Sequence, residues 1–198
     1  METDGNGELL LPSGGYRNLK SFRLARLIYD ITVHFAKMYI PADSRTRDQM
    51  IQAARSGVQN IAEGSVEAAT SAKLELNLYN VARASLEELR LDYQDFLRQH
   101  NATIWAKDSP LYSEFVALRI SDQAAFKDFI RRAETTSSSV TFRNTPYKSV
   151  LVANATLLLI AATTYFLKRQ IDSKAKAFLN NGGFSEHMLR RRLKNREE

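Results

Sequence analysis

Between Val150 and Leu167 the chain reads VLVANATLLLIAATTYFL, eighteen residues without a charged side chain. That length meets the lower limit for a helix that crosses a membrane. Four polar residues interrupt the run, and the sequence contains no second segment of this kind. The interrupting residues are Asn154, Thr156, Thr163 and Thr164. Because the centre of a helical bundle or a subunit interface also requires a helix that is apolar on all sides, we predict a core helix and no membrane span.

The positive charge of the chain is concentrated at its C-terminus. The 198 residues include 28 Lys or Arg and 22 Asp or Glu, which gives a formal net charge of +6. The segment from Lys168 to Glu198 alone holds nine basic and four acidic residues. Concentrated positive charge attracts polyanions such as nucleic acids. The alternative interpretation is that Arg190 to Arg196 is the solvated end of a helix.

The N-terminal segment and the cysteine count restrict the class of protein. The chain has no cysteine, which excludes disulfides, cysteine-ligated metals and cysteine nucleophiles. Met1 to Gly15 contains four glycines and lacks the basic leader of a secretory signal. We therefore expect a cytoplasmic protein in which residues 1–16 form a disordered tail and residues 17–180 form a four-helix bundle.

Apolar periodicity predicts the first helix from about Asn18 to Ile40. Its apolar residues recur at steps of three and four and so form one stripe: Leu24, Leu27, Ile28, Ile31, Phe35 and Met38. Tyr29 and Val33 widen this stripe. Pro41 ends the helix, because proline lacks an N–H group and disfavours helical geometry in the preceding residue.

The second helix is predicted from a capping-box spacing, Thr46 to Gln49. Its inner face is unusually small, with Met50, Ala54, Gly57 and Ile61 at steps of four, three and four. Small residues allow another helix to approach closely. Gly64 is expected to be the C-terminal cap.

The third helix is predicted from Thr70 or Ser71 to about Gln99, without Gly or Pro. It carries two apolar faces, so that the helix is either central or packed against another subunit. One face contains Leu74, Leu78, Val81, Leu89 and Phe96, and the other contains Leu76, Tyr79, Leu86, Tyr93 and Leu97.

Residues 101–146 are predicted to be an insertion between the third and fourth long helices. Ser109 and Pro110 are predicted to be an N-cap and N1 pair, followed by two short helices at about 111–118 and 122–133. Thr135 to Thr145 is rich in Ser and Thr and is predicted to be a mobile loop. The fourth long helix covers about 147–180, and residues 181–198 form a basic tail with a short helix capped by Ser185.

No catalytic or metal-binding constellation stands above background. The three histidines, His34, His100 and His187, lack a partner at a metal-ligand step of three or four. Glu88 and Asp92 are spaced i,i+4, but the pattern favours a solvated acidic face near Arg90 and Arg98. We therefore expect no enzyme activity, no cofactor and no metal.

The second helix also carries a row of polar residues. Arg55, Gln59 and Glu63 follow each other at steps of four, beside Ser56 and Asn60. Such a row is either a charge ladder within one helix or the contribution of one subunit to a polar ring around a symmetry axis.

Several of these segments resemble a known family. The stretches are SRTRDQMIQAARSGVQNIAEGS at 44–65, NVARASLEEL at 80–89 and DYQDFL at 92–97. They are similar to the four-helix-bundle family of bacterial ribosomal RNA intervening-sequence proteins, whose relatives include the accessory variability determinant of diversity-generating retroelements. The similarity covers about 22–99. The segments LVANA at 151–155 and GGFS at 182–185 resemble a longer subgroup with a C-terminal suffix region.

The resemblance implies an up-down-up-down bundle that assembles as a homopentamer and is not an enzyme. It also implies nucleic acid, RNA above all, and a reverse transcriptase as partners; the alternative is a scaffold that docks an acidic protein without binding nucleic acid. The expected interface and family-motif residues are Met50, Ala54, Arg55, Gly57, Gln59, Asn60, Ile61, Glu63 and Gly64. The expected nucleic-acid contacts are Arg190, Arg191, Arg192, Lys194 and Arg196, with Arg45, Arg47, Lys73 and Arg83 as a second surface.

Overall fold

The computed structural model describes residues 15–136, 145–182 and 184–197. These ranges contain a short 3-10 turn at Tyr16–Asn18, seven α-helices and no β-strand. The helices are α1 (Lys20–Tyr39), α2 (Arg45–Glu67), α3 (Ala72–Gln99), α4 (Pro110–Leu118), α5 (Gln123–Thr136), α6 (Tyr147–Asn181) and α7 (Phe184–Glu197). The prediction of an all-α protein is therefore confirmed. The predicted N-terminal tail and most of the predicted loop at 135–145 lie outside the described residues.

Four long helices enclose the hydrophobic core. α1 packs against α2 and α6, and α3 also packs against α2 and α6. The core contains the fully buried side chains of Phe35, Tyr93, Leu86 and Ile160. The Phe35 ring lies 4.9 Å from that of Tyr93, and the hydroxyl groups of Tyr93 and Thr32 are hydrogen-bonded at 3.0 Å. Aromatic packing and a satisfied hydroxyl pair therefore join α1 to α3.

α6 is the core helix that the uncharged run predicts. Among the described residues it is the helix that has the length and composition to cross a membrane, with a mean hydropathy of 1.9 over its most apolar window. However, 61% of that window is buried inside the fold. Its hydroxyl groups are satisfied locally, since Thr156 and Thr163 donate to the carbonyl oxygens of Val152 and Leu159, both at 2.7 Å. Local hydrogen bonds thus allow polar residues inside an apolar core.

The helix ends confirm some of the predicted caps and correct others. Ser71 accepts a hydrogen bond from the Leu74 amide at 3.2 Å, and Ser109 accepts one from the Tyr112 amide at 3.3 Å. The capping box at Thr46 is wrong, because a turn between Pro41 and Ser44 starts α2 at Arg45, which places Thr46 inside the helix.

Three further expectations are wrong. Gly64 does not cap α2, which continues for another turn as far as Glu67. Ser185 does not cap α7, because this helix already begins at Phe184. Met38 is 61% exposed, since it lies in the last turn of α1, where this face is left uncovered.

Candidate nucleic-acid interface

A seam of two glycines sets the close approach of α2 and α3. A Cβ atom on Gly57 would lie 3.1 Å from Leu86 Cδ2, and one on Gly64 would lie 2.8 Å from Tyr79 Cε1. Gly57 therefore faces Leu86 while Gly64 faces Tyr79, which makes the two helices antiparallel. The small inner face of α2 thus serves packing within the chain.

The motif residues of α2 divide into a buried and an accessible set. Met50, Ala54, Gly57, Ile61 and Gly64 are buried inside the chain. Arg55 and Glu63 are exposed, while Gln59 and Asn60 are half-buried. Asn60 donates to the Ser56 carbonyl at 2.9 Å, and no hydrogen bond or ion pair between described residues joins Arg55, Gln59 and Glu63. The accessible set is the part of the motif that a partner can contact.

A shallow groove of about 590 Å³ lies between α3 and α6. We name it the α3–α6 groove; its lining includes Asn80, Arg83 and Glu87 of α3 and Thr164, Tyr165 and Lys168 of α6. Tyr165 is 57% exposed, and the Arg169 guanidinium carbon lies 5.9 Å from the centroid of its ring. An exposed aromatic ring therefore lies beside Arg169 and shares the groove with two further cations, Arg83 and Lys168.

The charges of the groove favour an anion. No described carboxylate lies within ion-pair distance of Arg83 or Lys168. Glu87 is engaged by Arg90, whose bidentate hydrogen bonds lower the pKa of Glu87; the nearby charges of Arg90 and Arg83 act in the same direction. Arg83 thus lies near the carboxylate of Glu87, which is already paired with Arg90. The groove therefore carries a net positive charge.

An ion pair between buried Glu75 and partly exposed Lys174 holds α6 in register with α3 beside this groove. Glu75 is 3% exposed, and Lys174 Nζ lies 2.9 Å from Glu75 Oε1. Burial, followed by the charge of Glu75, raises the pKa of Tyr79, so that its hydroxyl stays protonated. Ser21 on α1 donates to Gln170 Oε1 of α6 at 2.9 Å. These contacts position Tyr165 and Lys168, which precede Gln170 and Lys174 in the same helix.

The opposite flank of α3 is acidic. A groove of about 500 Å³ between α2 and α3 is lined by Gln49, Gln52, Ser56, Glu88 and Asp92, among others. Burial, followed by the charges of Asp95 and Glu88, raises the pKa of Asp92. The described residues contain no group of three His, Asp or Glu side chains arranged to hold a metal ion. A polyanion is therefore favoured on the α6 side of α3 and repelled on the α2 side.

The predicted second surface is not one surface. Arg47 precedes Gly57 by ten residues and Lys73 precedes Leu86 by thirteen. Since Gly57 faces Leu86 in an antiparallel pair, Arg47 and Lys73 are about 35 Å apart at the usual rise per residue. Arg45 lies beside Arg47 at the start of α2. Arg83 lines the α3–α6 groove together with Lys168.

The predicted tail contacts lie on α7. Arg190, Arg192 and Arg196 are exposed there, and Arg191 and Lys194 belong to the same helix. Tyr165 is not among the predicted site residues, because it lies inside the uncharged run that predicts a core helix. The sequence does carry a signal, since Lys168 and Arg169 follow Tyr165 at i+3 and i+4 and hence share its face of the helix.

Comparison with protein-family models gives no match for the chain, and neither curated proteins nor solved structures provide a similar sequence or fold. The interpretation of the site therefore depends on its geometry and charge.

Proposed function

We propose that this protein is a non-enzymatic, homo-oligomeric four-helix bundle that binds nucleic acid, RNA in the first place, in the cytoplasm. The observation that carries this proposal is the α3–α6 groove, where Arg83 and Lys168 line the same surface as the exposed ring of Tyr165 and Arg169 lies over that ring. Antiparallel contacts of α3 with both α2 and α6 support the up-down-up-down arrangement. The family resemblance supports five subunits and a role as accessory factor of a reverse transcriptase.

The chemistry of the groove suits an unpaired strand. Cations bind the phosphate backbone, and an accessible aromatic ring stacks on a base that is not already stacked in a duplex. The lining of the groove resembles no base-reading module, so we expect little sequence preference. The exposed arginines Arg190, Arg192 and Arg196 of α7 add phosphate contacts, and an oligomer multiplies them.

Fluorescence anisotropy with a labelled single-stranded RNA tests the proposal. The double variant Arg83→Gln/Lys168→Gln is expected to weaken binding about tenfold and to reduce the salt slope by about two, because two phosphate contacts are lost. Tyr165→Ala is expected to weaken binding by a similar factor through lost stacking, with an unchanged salt slope.

The control is Arg98→Gln/Arg131→Gln, which removes the same charge from two arginines that are paired with Asp95 and Asp128. This variant is expected to bind like the wild type. Binding that does not depend on salt, or that is equally weakened by both double variants, would contradict the groove. If RNA affinity is lost only in Arg190→Gln/Arg192→Gln/Arg196→Gln, the binding surface would be assigned to α7 and not to the groove.

The second candidate function is a scaffold for an acidic protein. It is favoured by Leu189 and Leu193, which are 58% and 51% exposed on α7 and are spaced i,i+4 among its arginines. A helix with cations and adjacent apolar side chains suits an acidic protein surface with an apolar centre. Recovery of the same partner after nuclease treatment, combined with no RNA binding by the purified chain, would favour this function.

A further inference from the structure

A second groove lies between α1, α4 and α6, and it shares no lining residue with the α3–α6 groove. We name it the α1–α4–α6 groove; its volume is about 550 Å³, within the range of small-molecule sites. Its apolar lining includes Leu24, Phe115, Ile120, Leu159, Ala162 and Phe166. Four of these side chains are buried in the fold, whereas Ala162 and Phe166 are half-buried, so the groove has an apolar floor that solvent still reaches.

Aromatic packing within the insertion builds one wall of this groove. The Phe115 ring lies 5.0 Å from that of Phe129 in an edge-to-face arrangement, and Phe115 is 4% exposed. Ile120, the second residue after α4, is 6% exposed. The wall is therefore held by the core of the insertion and does not depend on a ligand to form.

Three cations stand at the rim of the groove. Lys20, Arg23 and Arg119 contribute to the lining, and no carboxylate does. Lys20 Nζ lies 5.5 Å from the centroid of the Phe166 ring, and no described carboxylate lies within ion-pair distance of the three cations. A groove with an apolar floor and an unpaired cationic rim is complementary to an anion that carries an apolar body.

The backbone at Arg119 adopts a conformation that is unusual for this residue type. Arg119 ends α4 with φ 48° and ψ 45°, in the left-handed region that favours glycine. Among the described non-glycine residues, only Asn101 shares a positive φ. Asparagine tolerates this conformation, whereas an arginine costs about 1 kcal/mol relative to glycine. The chain therefore keeps a strained arginine where a glycine would relax the turn, and this arginine reaches the rim.

The length of the groove suits a small ligand. Along α6 the lining runs from Leu158 to Phe166, about 12 Å at the usual helical rise. A single alkyl chain or one flat ring system fits this length.

We propose that the α1–α4–α6 groove binds a small anionic amphiphile, in which an alkyl chain or ring occupies the apolar floor and one carboxylate or phosphate group contacts Arg23 and Arg119. The inference does not depend on nucleic-acid binding, because the two grooves share no residue. A failure of either proposal therefore leaves the other intact.

Fluorescence titration of the full chain with dansyl-labelled undecanoic acid, below its micelle concentration, tests the site. Saturable binding is expected, with displacement by dodecanoate and by dodecyl phosphate. Dodecanol is expected to compete about tenfold more weakly because it lacks the charge. Inorganic phosphate alone is expected not to displace the probe; displacement by phosphate would assign the rim to a free anion and overturn the amphiphile.

The decisive variant is Arg119→Gly. It is expected to raise the melting temperature, because the strained backbone is relaxed, and at the same time to weaken probe binding about tenfold. Loss of affinity in a variant that is more stable than the wild type cannot be due to misfolding. Arg23→Gln is expected to weaken binding similarly, and Ala162→Phe is expected to abolish it by filling the floor. The matched control, Arg98→Gln/Arg131→Gln, is expected to leave the affinity unchanged.

Three results would overturn the proposal. The first is the absence of saturable probe binding, and the second is unchanged affinity in Arg119→Gly. The third is a change of molecular mass in Ala162→Phe, because the groove would then be the contact with a second copy of this chain.

Discussion

At the scale of the residue, Gly64 shows how the absence of a side chain allows α2 and α3 to pack closely. An alanine methyl group at this position would lie 2.8 Å from Tyr79 Cε1 and 3.2 Å from the Glu75 carbonyl oxygen. Tyr79 is 1% exposed and has no room to move. In an open helix, alanine is more favourable than glycine by about 1 kcal/mol. At position 64, contact with the Tyr79 ring and the Glu75 carbonyl oxygen therefore opposes the helix propensity that favours alanine.

The comparison of two glycines in the same helix tests this balance. Gly64→Ala is expected to lower the free energy of unfolding by about 1–2 kcal/mol, because overpacking outweighs the gain in propensity. Gly57→Ala is expected to cost less than Gly64→Ala, since its methyl group would lie 3.1 Å from Leu86 Cδ2 and 3.8 Å from the Ala82 carbonyl oxygen, both longer than the corresponding distances at Gly64. Urea denaturation measures both values. A Gly64→Ala variant as stable as the wild type would show that the seam is looser than described.

Asp92 gives a prediction on pH dependence. Burial and then the charges of Asp95 and Glu88 raise its folded-state pKa above the ordinary value of 3.8. The folded chain therefore holds this proton more tightly than the unfolded chain, and the stabilisation, complete below pH 3.8, is lost as the pH rises through the raised pKa.

Asp92→Asn is accordingly expected to raise the melting temperature at pH 7, by no more than about 2 °C because the group is partly solvated. At pH 3 the variant and the wild type are expected to have the same melting temperature. Thermal denaturation at the two pH values measures the difference, and Asp108→Asn, at an exposed carboxylate between α3 and α4, is the control. A destabilised Asp92→Asn at pH 7 would contradict the sign.

At the scale of the element, one asparagine attaches the insertion to the core helix. Asn154 is 2% exposed; its Oδ1 accepts a hydrogen bond from the Trp105 amide at 2.8 Å. Its Nδ2 donates to the carbonyl oxygens of Thr103 at 3.2 Å and Val150 at 3.1 Å. The polar residue that interrupts the apolar run thus satisfies the backbone of the connection between α3 and α4.

Asn154→Ala is expected to lower the free energy of unfolding by about 2–4 kcal/mol, because the Trp105 amide and the Thr103 carbonyl lose a buried partner. The chain has one tryptophan, and its ring lies 6.1 Å from that of Phe129, so its fluorescence reports on the insertion. A red-shifted emission is expected in the variant.

The control for this prediction is Asn60→Ala, which removes an asparagine whose hydrogen bonds stay within α2. It is expected to cost less than about 1 kcal/mol and to leave the emission of Trp105 unchanged. Equal costs for the two variants would mean that Asn154 does not anchor the insertion.

At the scale of the whole molecule, the proposal of an oligomer depends on the apolar side chains that the fold leaves outside. Tyr79, Leu86, Tyr93 and Leu97, on one predicted face of α3, are buried in the core of a single chain. On the other face Leu89 and Phe96 are buried, whereas Leu74 and Val81 are 41% and 47% exposed. Since they are seven residues apart, Leu74 and Val81 share one side of α3 and are available for a subunit contact.

Light scattering is expected to give five times the mass of the chain for the wild type and a lower mass for Leu74→Glu/Val81→Glu, because burying two carboxylates at the contact is unfavourable. Ile104→Glu/Leu118→Glu changes two residues of similar exposure in the insertion and is expected to keep the wild-type mass. A monomeric wild type would refute the assembly.

Local signals in the sequence predict most of the helix bounds. Hydrophobic periodicity, Pro41 and the Ser109–Pro110 pair predicted α1, α3, α4 and α6 to within a few residues, because these signals act between neighbours in the chain. The local signals were wrong at two positions. Gly64 was expected to end α2, but it packs against Tyr79 inside the helix. Thr46 was expected to cap α2, but a turn before Arg45 starts the helix earlier.

Tertiary packing determines which side chains come into contact. Helical periodicity shows that residues share a face, but not which other helix covers that face, so it treats Met38, exposed in α1, like buried Phe35. Arg83 and Lys168 are 85 residues apart in the chain and line one groove, because the packing of α3 against α6 brings them together. Arg23 and Arg119 meet at the other groove for the same physical reason: contacts between distant segments depend on how whole helices pack.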